Sequence, residues 1–215
     1  SGVSLVIHES QSRLWEQIIG RSRDFWIYWF PQFQRLFSEQ MSGVTLDQFL
    51  LSANRVKPSC IRVDADEVTY GLHIILRFEL EKALVSGDLT AADLPSAWNE
   101  RMKSLVGCTP SHDGEGVLQD VHWSAGMIGY FPTYALGNLY AAQLYDQLLH
   151  DVPDLGGCIA QGSFQEISDW LNKQVFQWGG MFSSEELMMR ITGKALDPHC
   201  FSSYLHKKYG VLYEL

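Results

Sequence analysis

Apolar residues recur at spacings of three and four along most of this sequence, and sustained apolar–polar alternation is almost absent. Spacing of this kind places apolar side chains on one face of an α-helix, whereas a half-buried strand needs a period of two. The sequence therefore predicts an all-α fold, a multi-helix lobe. Because no linker or internal repeat interrupts the 215 residues, we expect one helical domain over residues 1–215.

Capping and breaking residues set the expected limits of the helices. The first helix should run from about His8 through the aromatic stretch 25–30 and end near Pro31, and such aromatic density predicts deep burial. Thr45, with Gln48 three residues later, predicts a capped helix over about 45–54. The other expected helices cover about 64–86, 95–106, 130–150, 164–178, 184–192 and 198–209.

Charge and composition exclude several classes of partner. The sequence has 25 acidic against 16 basic residues and no run of Lys or Arg that could follow a phosphate backbone, so we expect no nucleic acid. No apolar stretch approaches the roughly 18 to 20 residues that span a bilayer, and no signal peptide is recognisable, which predicts a soluble, cytoplasmic protein without a membrane partner. The four widely spaced cysteines are expected to be reduced and structural.

The first group of candidate functional residues is the run from Ile7 to Arg13. On a helix, Glu9, Arg13 and Glu16 share one face, so the simpler interpretation is an ion pair between Glu9 and Arg13. The alternative is that Glu9 supplies a carboxylate oxygen to a metal. The local sequence alone favours the ion pair.

The second group is a polar stripe that begins in the run Ile61–Asp66. Steps of four, four, three and four place one set of polar residues on a single helical face: Arg62, Asp66, Tyr70, His73 and Arg77. The opposite face carries Val68, Leu72, Ile75 and Leu76. A solvated helix face is the simpler interpretation. The alternative is that Arg62 lies at the mouth of a cleft, oriented by Asp66, and grips a carboxylate with two hydrogen bonds.

The third group is the run Gly116–Trp123, followed by the segment Gly129–Gly137. A histidine beside a tryptophan usually belongs to a packed core. Here His122 follows Asp120 and precedes two tyrosines on successive turns, Tyr130 and Tyr134, and such a set of donors suits an oxyanion.

Taken in order, the three groups resemble motifs of the Taq-type thermostable carboxypeptidase family, which are zinc metallocarboxypeptidases. HES-Q is present at His8–Gln11, I-R-x-x-A-D at Ile61–Asp66 and G-x-x-Q-D-x-H-W at Gly116–Trp123, and the similarity covers about Val3 to Tyr213. The resemblance implies a two-lobed helical metallopeptidase with a deep cleft, related in architecture to neurolysin and the angiotensin-converting enzymes. This chain resembles the C-terminal part only.

The resemblance also implies roles for individual residues. Glu9 would be the third protein ligand of the zinc, and Arg62, with Asp66, would bind the C-terminal carboxylate of a peptide substrate. His122 and Tyr130 would stabilise the tetrahedral intermediate, and Tyr134 is the weaker candidate of the two tyrosines.

One motif of the family is missing from the sequence. HExxH, which supplies two histidine ligands and the glutamate that activates the zinc-bound water, occurs nowhere in the 215 residues. We therefore expect a fragment that lacks an N-terminal lobe, holds no zinc by itself and is inactive. Its expected partners are a peptide substrate, the missing lobe and a second copy of the chain in a homodimer. The alternative function is a non-catalytic helical interaction module.

Overall fold

The structure is a computed structural model that describes residues 4–215, so Val3, where the similarity was expected to begin, lies outside the described residues. Helices and turns make up the described chain, and no strand occurs in it, which confirms the all-α prediction. The helices in order are α1 (Leu5–Arg13), α2 (Arg23–Leu36), α3 (Leu46–Ala53), α4 (Tyr70–Ser86), α5 (Leu94–Leu105), α6 (Pro132–Asp151), α7 (Leu155–Ala160), α8 (Gln165–Gln174), α9 (Ser184–Thr192) and α10 (Pro198–Tyr213). Leu14–Ile19 is π-helical, and Arg62–Asp64 and Phe176–Trp178 are 3-10 turns.

The chain divides into two compact units. The first consists of residues 4–54 and Leu136–Leu215, and the second of Arg55–Ala135. The expectation that all 215 residues form one domain stays a prediction. Each unit has its own core and is described by itself.

The core of the first unit is formed by α1, the π-helical segment and the helices from α6 onwards. Its fully buried side chains are mostly aliphatic and include Leu14, Ile19, Leu144, Leu148, Leu155, Ile159, Ile167, Leu187 and Met188. Each such side chain contributes roughly 1.5 to 3 kcal/mol relative to an exposed one. The helices of this unit are therefore held mainly by apolar packing.

The predicted first helix is wrong in both its continuity and its end. The chain leaves the helix at residues 20–22, and Ser22 caps α2 by accepting a hydrogen bond from the backbone N–H of Phe25. A Cβ at Gly20 would lie 2.8 Å from the carbonyl oxygen of Trp15, so only glycine fits this turn. Pro31 lies inside α2, which continues to Leu36.

The predicted deep burial of the aromatic stretch is also wrong. Phe30 is the buried member, whereas Tyr28 and Trp29 are exposed. The helical period explains the difference, because one side of α2 faces Phe49 of α3, Phe25 packs against Phe164 of the core, and Tyr28 and Trp29 remain exposed. Ring contacts of 4.4 Å for Trp26 and 5.3 Å for Phe30, measured between centroids, join that inner side to Phe49.

Other predicted limits are confirmed. Thr45 and Gln48 form a reciprocal capping box at the start of α3. Gly87, in the left-handed conformation, ends α4, and α9 covers the predicted residues 184–192. The glycine-containing helix α7 was not predicted from the sequence.

The second unit is built on the packing of α4 against α5. Its core contains Leu76, Leu80, Trp98, Met102 and Val106. The predicted start of α4 near Asp64 is wrong, since Arg62–Asp64 is a separate 3-10 turn and α4 begins at Tyr70.

The polar stripe of α4 is buried, which corrects the interpretation of a solvated face. His73 and Arg77 are fully buried and Tyr70 nearly so, while Val68 and Ile75 of the expected packing face are exposed. The Arg77 guanidinium therefore lies inside the second unit, hydrogen-bonded to Asp120 and to the carbonyl oxygen of His73. Burial of this kind requires partners for every charge.

The expectation of four reduced cysteines is corrected at one pair. Cys60 and Cys108 form a disulfide, with 5.9 Å between their Cα atoms, and Cys158 and Cys200 are free. The two half-cystines, 48 positions apart, pack against the same core of α4 and α5, a proximity that their spacing in sequence could not reveal. Among residues 4–215, no helix is long and apolar enough to cross a membrane.

Candidate functional site

The carboxylate of Asp120 lies between two guanidinium groups in the second unit. Arg62 donates from Nε to Oδ1 at 2.9 Å, and Arg77 donates from Nε to Oδ2 at 2.6 Å. Each carboxylate oxygen thus serves a different arginine. Because one negative charge is shared between two positive charges, this contact set retains an excess of positive charge that favours an anionic ligand.

Asp66 does not orient Arg62, which corrects the role that the sequence predicted for it. Its Oδ1 accepts hydrogen bonds from the backbone N–H groups of Val68 and Thr69, both at 2.9 Å, and its Oδ2 accepts from Lys57 N–H and the Thr69 hydroxyl. Asp66 therefore organises the turn that leads into α4. The guanidinium of Arg62 is oriented by Asp120, with a further hydrogen bond of 3.2 Å to the Tyr70 hydroxyl.

Burial and charge act in opposite directions on the three ionic groups. Burial raises the pKa of Asp120, but Arg77 and Arg62 outweigh it and hold that pKa below its usual value. Burial opposes the charge of Arg62, yet Asp120 and Tyr70 leave its pKa raised. Burial dominates at Arg77 and lowers its pKa to about 10, so the guanidinium stays charged at neutral pH.

His73 lies between the two arginines in sequence, on the buried face of α4. Burial and the charge of Arg77 lower the pKa of His73 to about 4, so its imidazole is neutral near pH 7. Its carbonyl oxygen accepts a hydrogen bond of 2.9 Å from Nη1 of Arg77. A neutral His73 adds no further positive charge beside the arginines.

His122 contacts one of the two candidate tyrosines directly. Its Nε2 lies 3.1 Å from the Tyr134 hydroxyl, and its ring centroid lies 5.5 Å from that of Tyr130. Its Nδ1 is 3.9 Å from Oδ1 of Asp120. Burial, with Arg62 and Arg77, lowers the pKa of His122 although Asp120 opposes this shift, so the neutral ring prevails at pH 7.

Two other side chains fix the segment Gly116–Trp123, and sequence reasoning gave them no role. Gln119 accepts from the backbone N–H of Arg62 at 2.8 Å and donates to the carbonyl oxygen of Cys60 at 3.0 Å. Glu81 accepts from the indole N–H of Trp123 at 2.7 Å. A signal existed for Gln119, which belongs to the recognised motif, whereas Glu81 lies outside it.

Glu9 belongs to the first unit. Its Oε1 accepts a hydrogen bond of 2.7 Å from Nε of Arg13, which confirms the expected ion pair, and Arg13 also lies 3.8 Å from Glu16. A Cβ at Gly137 would lie 2.5 Å from Cγ of Glu9, so this glycine lets α6 approach the Glu9 side chain.

Zinc in a catalytic site normally takes three protein ligands and one open position. Within residues 4–215, no group of three His, Cys, Asp or Glu side chains is arranged to hold a metal. Glu9 offers one carboxylate, so the described residues supply at most part of a zinc site.

The sequence profile of a known family, the Carboxypeptidase Taq (M32) metallopeptidases, matches residues 1–209. The chain belongs to this family. Membership confirms the resemblance stated from the three motifs.

Two curated relatives, both carboxypeptidases by name, match nearly the whole chain. Thermostable carboxypeptidase 1 of Thermus thermophilus is 46% identical over 211 residues, which cover 98% of this chain and 41% of the relative. Carboxypeptidase 1 of Bacillus subtilis is 44% identical over 214 residues, which cover all of this chain and 43% of the relative. The chain thus spans about two fifths of the length of these relatives.

A solved M32 structure shares the fold. The M32 carboxypeptidase of Deinococcus radiodurans superimposes with a TM-score of 0.97 at 42% identity, covering 100% of this chain and 44% of that one. The chain therefore has the fold of the corresponding part of an M32 carboxypeptidase.

Proposed function

We propose that this chain is part of a zinc-dependent metallocarboxypeptidase that releases C-terminal amino acids from peptides in the cytoplasm. Membership of the M32 family and the names of the relatives support the class of reaction. The observation that carries the proposal is the pair of arginines that share Asp120 beside His122. An excess of positive charge beside hydrogen-bond donors is what recognition of a free peptide C-terminus requires.

In this proposal Arg62 binds the substrate's terminal carboxylate. A guanidinium has five N–H donors, and the contacts with Asp120 and the Tyr70 hydroxyl leave N–H groups on its two terminal nitrogens for a ligand. Arg77, fully buried behind Asp120, keeps the carboxylate of Asp120 ionised. The fork of Arg62 is therefore held in place before the substrate arrives, which lowers the entropic cost of binding.

His122, Tyr130 and Tyr134 then act as hydrogen-bond donors to the oxygen of the scissile carbonyl. A neutral imidazole has one N–H donor, and a phenol can donate without changing its charge. His122 and Tyr134 already contact each other, so one side chain orients the other. Tyr130, whose ring adjoins His122, is the third donor of the proposal.

Glu9 is proposed as one carboxylate ligand of the zinc in the complete protein. Bound zinc supplies a Lewis acid and lowers the pKa of its water. Because Glu9 is a single ligand and HExxH is not in the sequence, we propose that the 215-residue chain is inactive alone. The other ligands, and the general base, would come from a lobe outside these residues or from a separate chain.

A chimera tests the proposal. This chain would replace the matching segment of the Bacillus subtilis relative, and release of the last residue would be followed for a peptide and for its C-terminally amidated form. We expect release from the free acid, negligible release from the amide, and none by the 215-residue chain with added zinc or cobalt.

Substitution at Arg62 sharpens the test. Arg62→Lys in the chimera should lower kcat/KM roughly 100-fold, because a charge-assisted, two-pronged contact becomes a single contact. Arg101→Lys is the control, since Arg101 lies on the exposed surface of the same unit and pairs with Glu79. A folded chimera without activity would contradict the proposal and favour the non-catalytic helical interaction module.

A further inference from the structure

Glu81 is a buried carboxylate on α4 with a partner at each oxygen. Its Oε2 accepts a hydrogen bond of 2.7 Å from the indole N–H of Trp123, and its Oε1 accepts one of 2.6 Å from the backbone N–H of Gly129. Only 6% of the surface of Glu81 is exposed. A carboxylate withdrawn this far from water is costly unless both oxygens are satisfied, as they are here.

The two partners of Glu81 lie at the two ends of one loop. Trp123 directly follows His122, and Gly129 directly precedes Tyr130. Within the loop, the N–H of Met127 donates to the carbonyl oxygen of His122 at 2.8 Å. Glu81 thus connects the residue that follows His122 to the residue that precedes Tyr130.

We infer that Glu81 is a positioning residue that sets the placement of His122 and Tyr130 relative to each other. The inference rests on the proposed function, in which both side chains donate to the same oxygen. Glu81 contacts neither side chain and acts through the indole of Trp123 and the backbone of Gly129.

A second contact made by α4 reinforces this role. Arg77, one helical turn before Glu81, holds Asp120, which precedes His122 by two residues. Helix α4 therefore binds the chain on both sides of His122. Arg77 binds Asp120 before it, and Glu81 binds Trp123 after it. Fixing the chain on both sides of His122 restricts the movement of the backbone that carries its side chain.

The two hydrogen bonds that Glu81 accepts require a carboxylate at this position. Two N–H donors point at its two oxygens, and a carboxylate accepts at both. In a Glu81→Gln variant of nearly equal size, the amide offers one oxygen and one NH2 group, so one of the two donors would face another donor. The control is Glu79→Gln on the same helix, where the side chain is half-buried and pairs with Arg101.

Nuclear magnetic resonance on the 15N-labelled 215-residue chain tests the contact without reference to activity. In Glu81→Gln, the indole N–H of Trp123 and the amide N–H of Gly129 should move upfield, because charge-assisted hydrogen bonds deshield their protons. The charges that face His122 are Asp120 and Glu81, which raise its pKa, and Arg62 and Arg77, which lower it. The His122 titration midpoint should therefore fall in Glu81→Gln and stay unchanged in Glu79→Gln.

Kinetics of the chimera test the functional consequence. Glu81→Gln should lower kcat roughly tenfold or more while KM changes less than twofold, because donor placement, and not substrate binding, is lost. Trp123→Phe, which removes one donor and keeps a ring, should give a smaller loss of kcat and serves if Glu81→Gln fails to fold. Unchanged kcat in an active chimera, or unshifted Trp123, Gly129 and His122 signals, would overturn the inference. If the chimera itself is inactive, the proposed function fails. The three NMR signals alone then decide whether Glu81 positions His122 and Tyr130.

Discussion

Asp120 is the residue on which the buried charge of the second unit depends. Removing one partner of a buried ion pair costs about 3 to 5 kcal/mol, because the remaining charge is left without compensation. Asp120→Asn should therefore destabilise the chain by that amount, since Arg77 is fully buried and has no other carboxylate among its described contacts. Urea unfolding measures the free energy. The control Asp113→Asn, at an exposed loop position, should change stability by less than about 0.5 kcal/mol, and equal effects of both substitutions would argue against a buried charge network.

His73 predicts a dependence of stability on pH. Its folded pKa, about 4, lies below the ordinary value of 6.5, so between these values the unfolded chain binds a proton that the folded chain does not. Stability from His73 is complete above about pH 6.5 and is lost as the pH falls towards 4. Between pH 7 and pH 5 the loss should be roughly 2 kcal/mol. His73→Met should flatten that part of the unfolding profile, and an unchanged slope would contradict the assigned pKa shift.

The partner of Arg62 shows what sequence spacing can and cannot predict at a single residue. Arg62 was identified as a candidate from its motif, but its partner was sought four residues away, on the assumption of one continuous helix. The structure replaces that helix by a 3-10 turn and brings in Asp120, 58 positions along the chain. A contact between distant segments leaves no periodic signal in one sequence, so the type of partner was predictable and its position was not.

Two glycines on different helices give opposite predictions for the same substitution. At Gly137 of α6, an added Cβ would lie 2.5 Å and 2.8 Å from Cγ and Cβ of Glu9, atoms near the main chain that cannot move aside easily. Gly137→Ala should therefore destabilise the chain by about 1 to 3 kcal/mol. At Gly71 of α4 nothing lies within 4 Å, and Gly71→Ala should stabilise it by about 0.5 to 1 kcal/mol through higher helix propensity. Thermal unfolding of both variants checks the pair, and a stabilising Gly137→Ala would disprove the close approach of α6 to Glu9.

Helices were predictable where their ends carry local signals. Thr45 with Gln48, Gly87 and the limits of α9 depend on hydrogen bonds or backbone angles within a few residues, and each was predicted correctly. The break at residues 20–22, the passage of α2 through Pro31 and the late start of α4 were missed. Two of these misses lie where a polar side chain binds nearby backbone N–H groups and ends the helical run, as Ser22 does before α2 and Asp66 does in the turn before α4.

At the scale of the whole molecule, family membership carried more information than composition or periodicity. Three short motifs predicted the M32 family, and a profile match over residues 1–209 confirmed it. The same motifs contributed residues to both compact units, with Glu9 in the first and Arg62 and His122 in the second. Resemblance to these motifs identified the candidate residues before any contact was known.

Zinc content tests the proposed metal site, which needs more ligands than this chain supplies. The 215-residue chain should emerge from gel filtration with no retained zinc, because Glu9 alone provides one ligand where about three are needed. The chimera with the Bacillus subtilis relative should retain about one zinc per chain. In that chimera Glu9→Gln should lower the zinc affinity by more than roughly 10- to 100-fold, the loss typical for groups that only support the ligands. Glu16→Gln is the matched control, since Glu16 also contacts Arg13 but was never a candidate ligand. Equal zinc content in the chimera and in its Glu9→Gln variant would remove Glu9 from the proposed metal site.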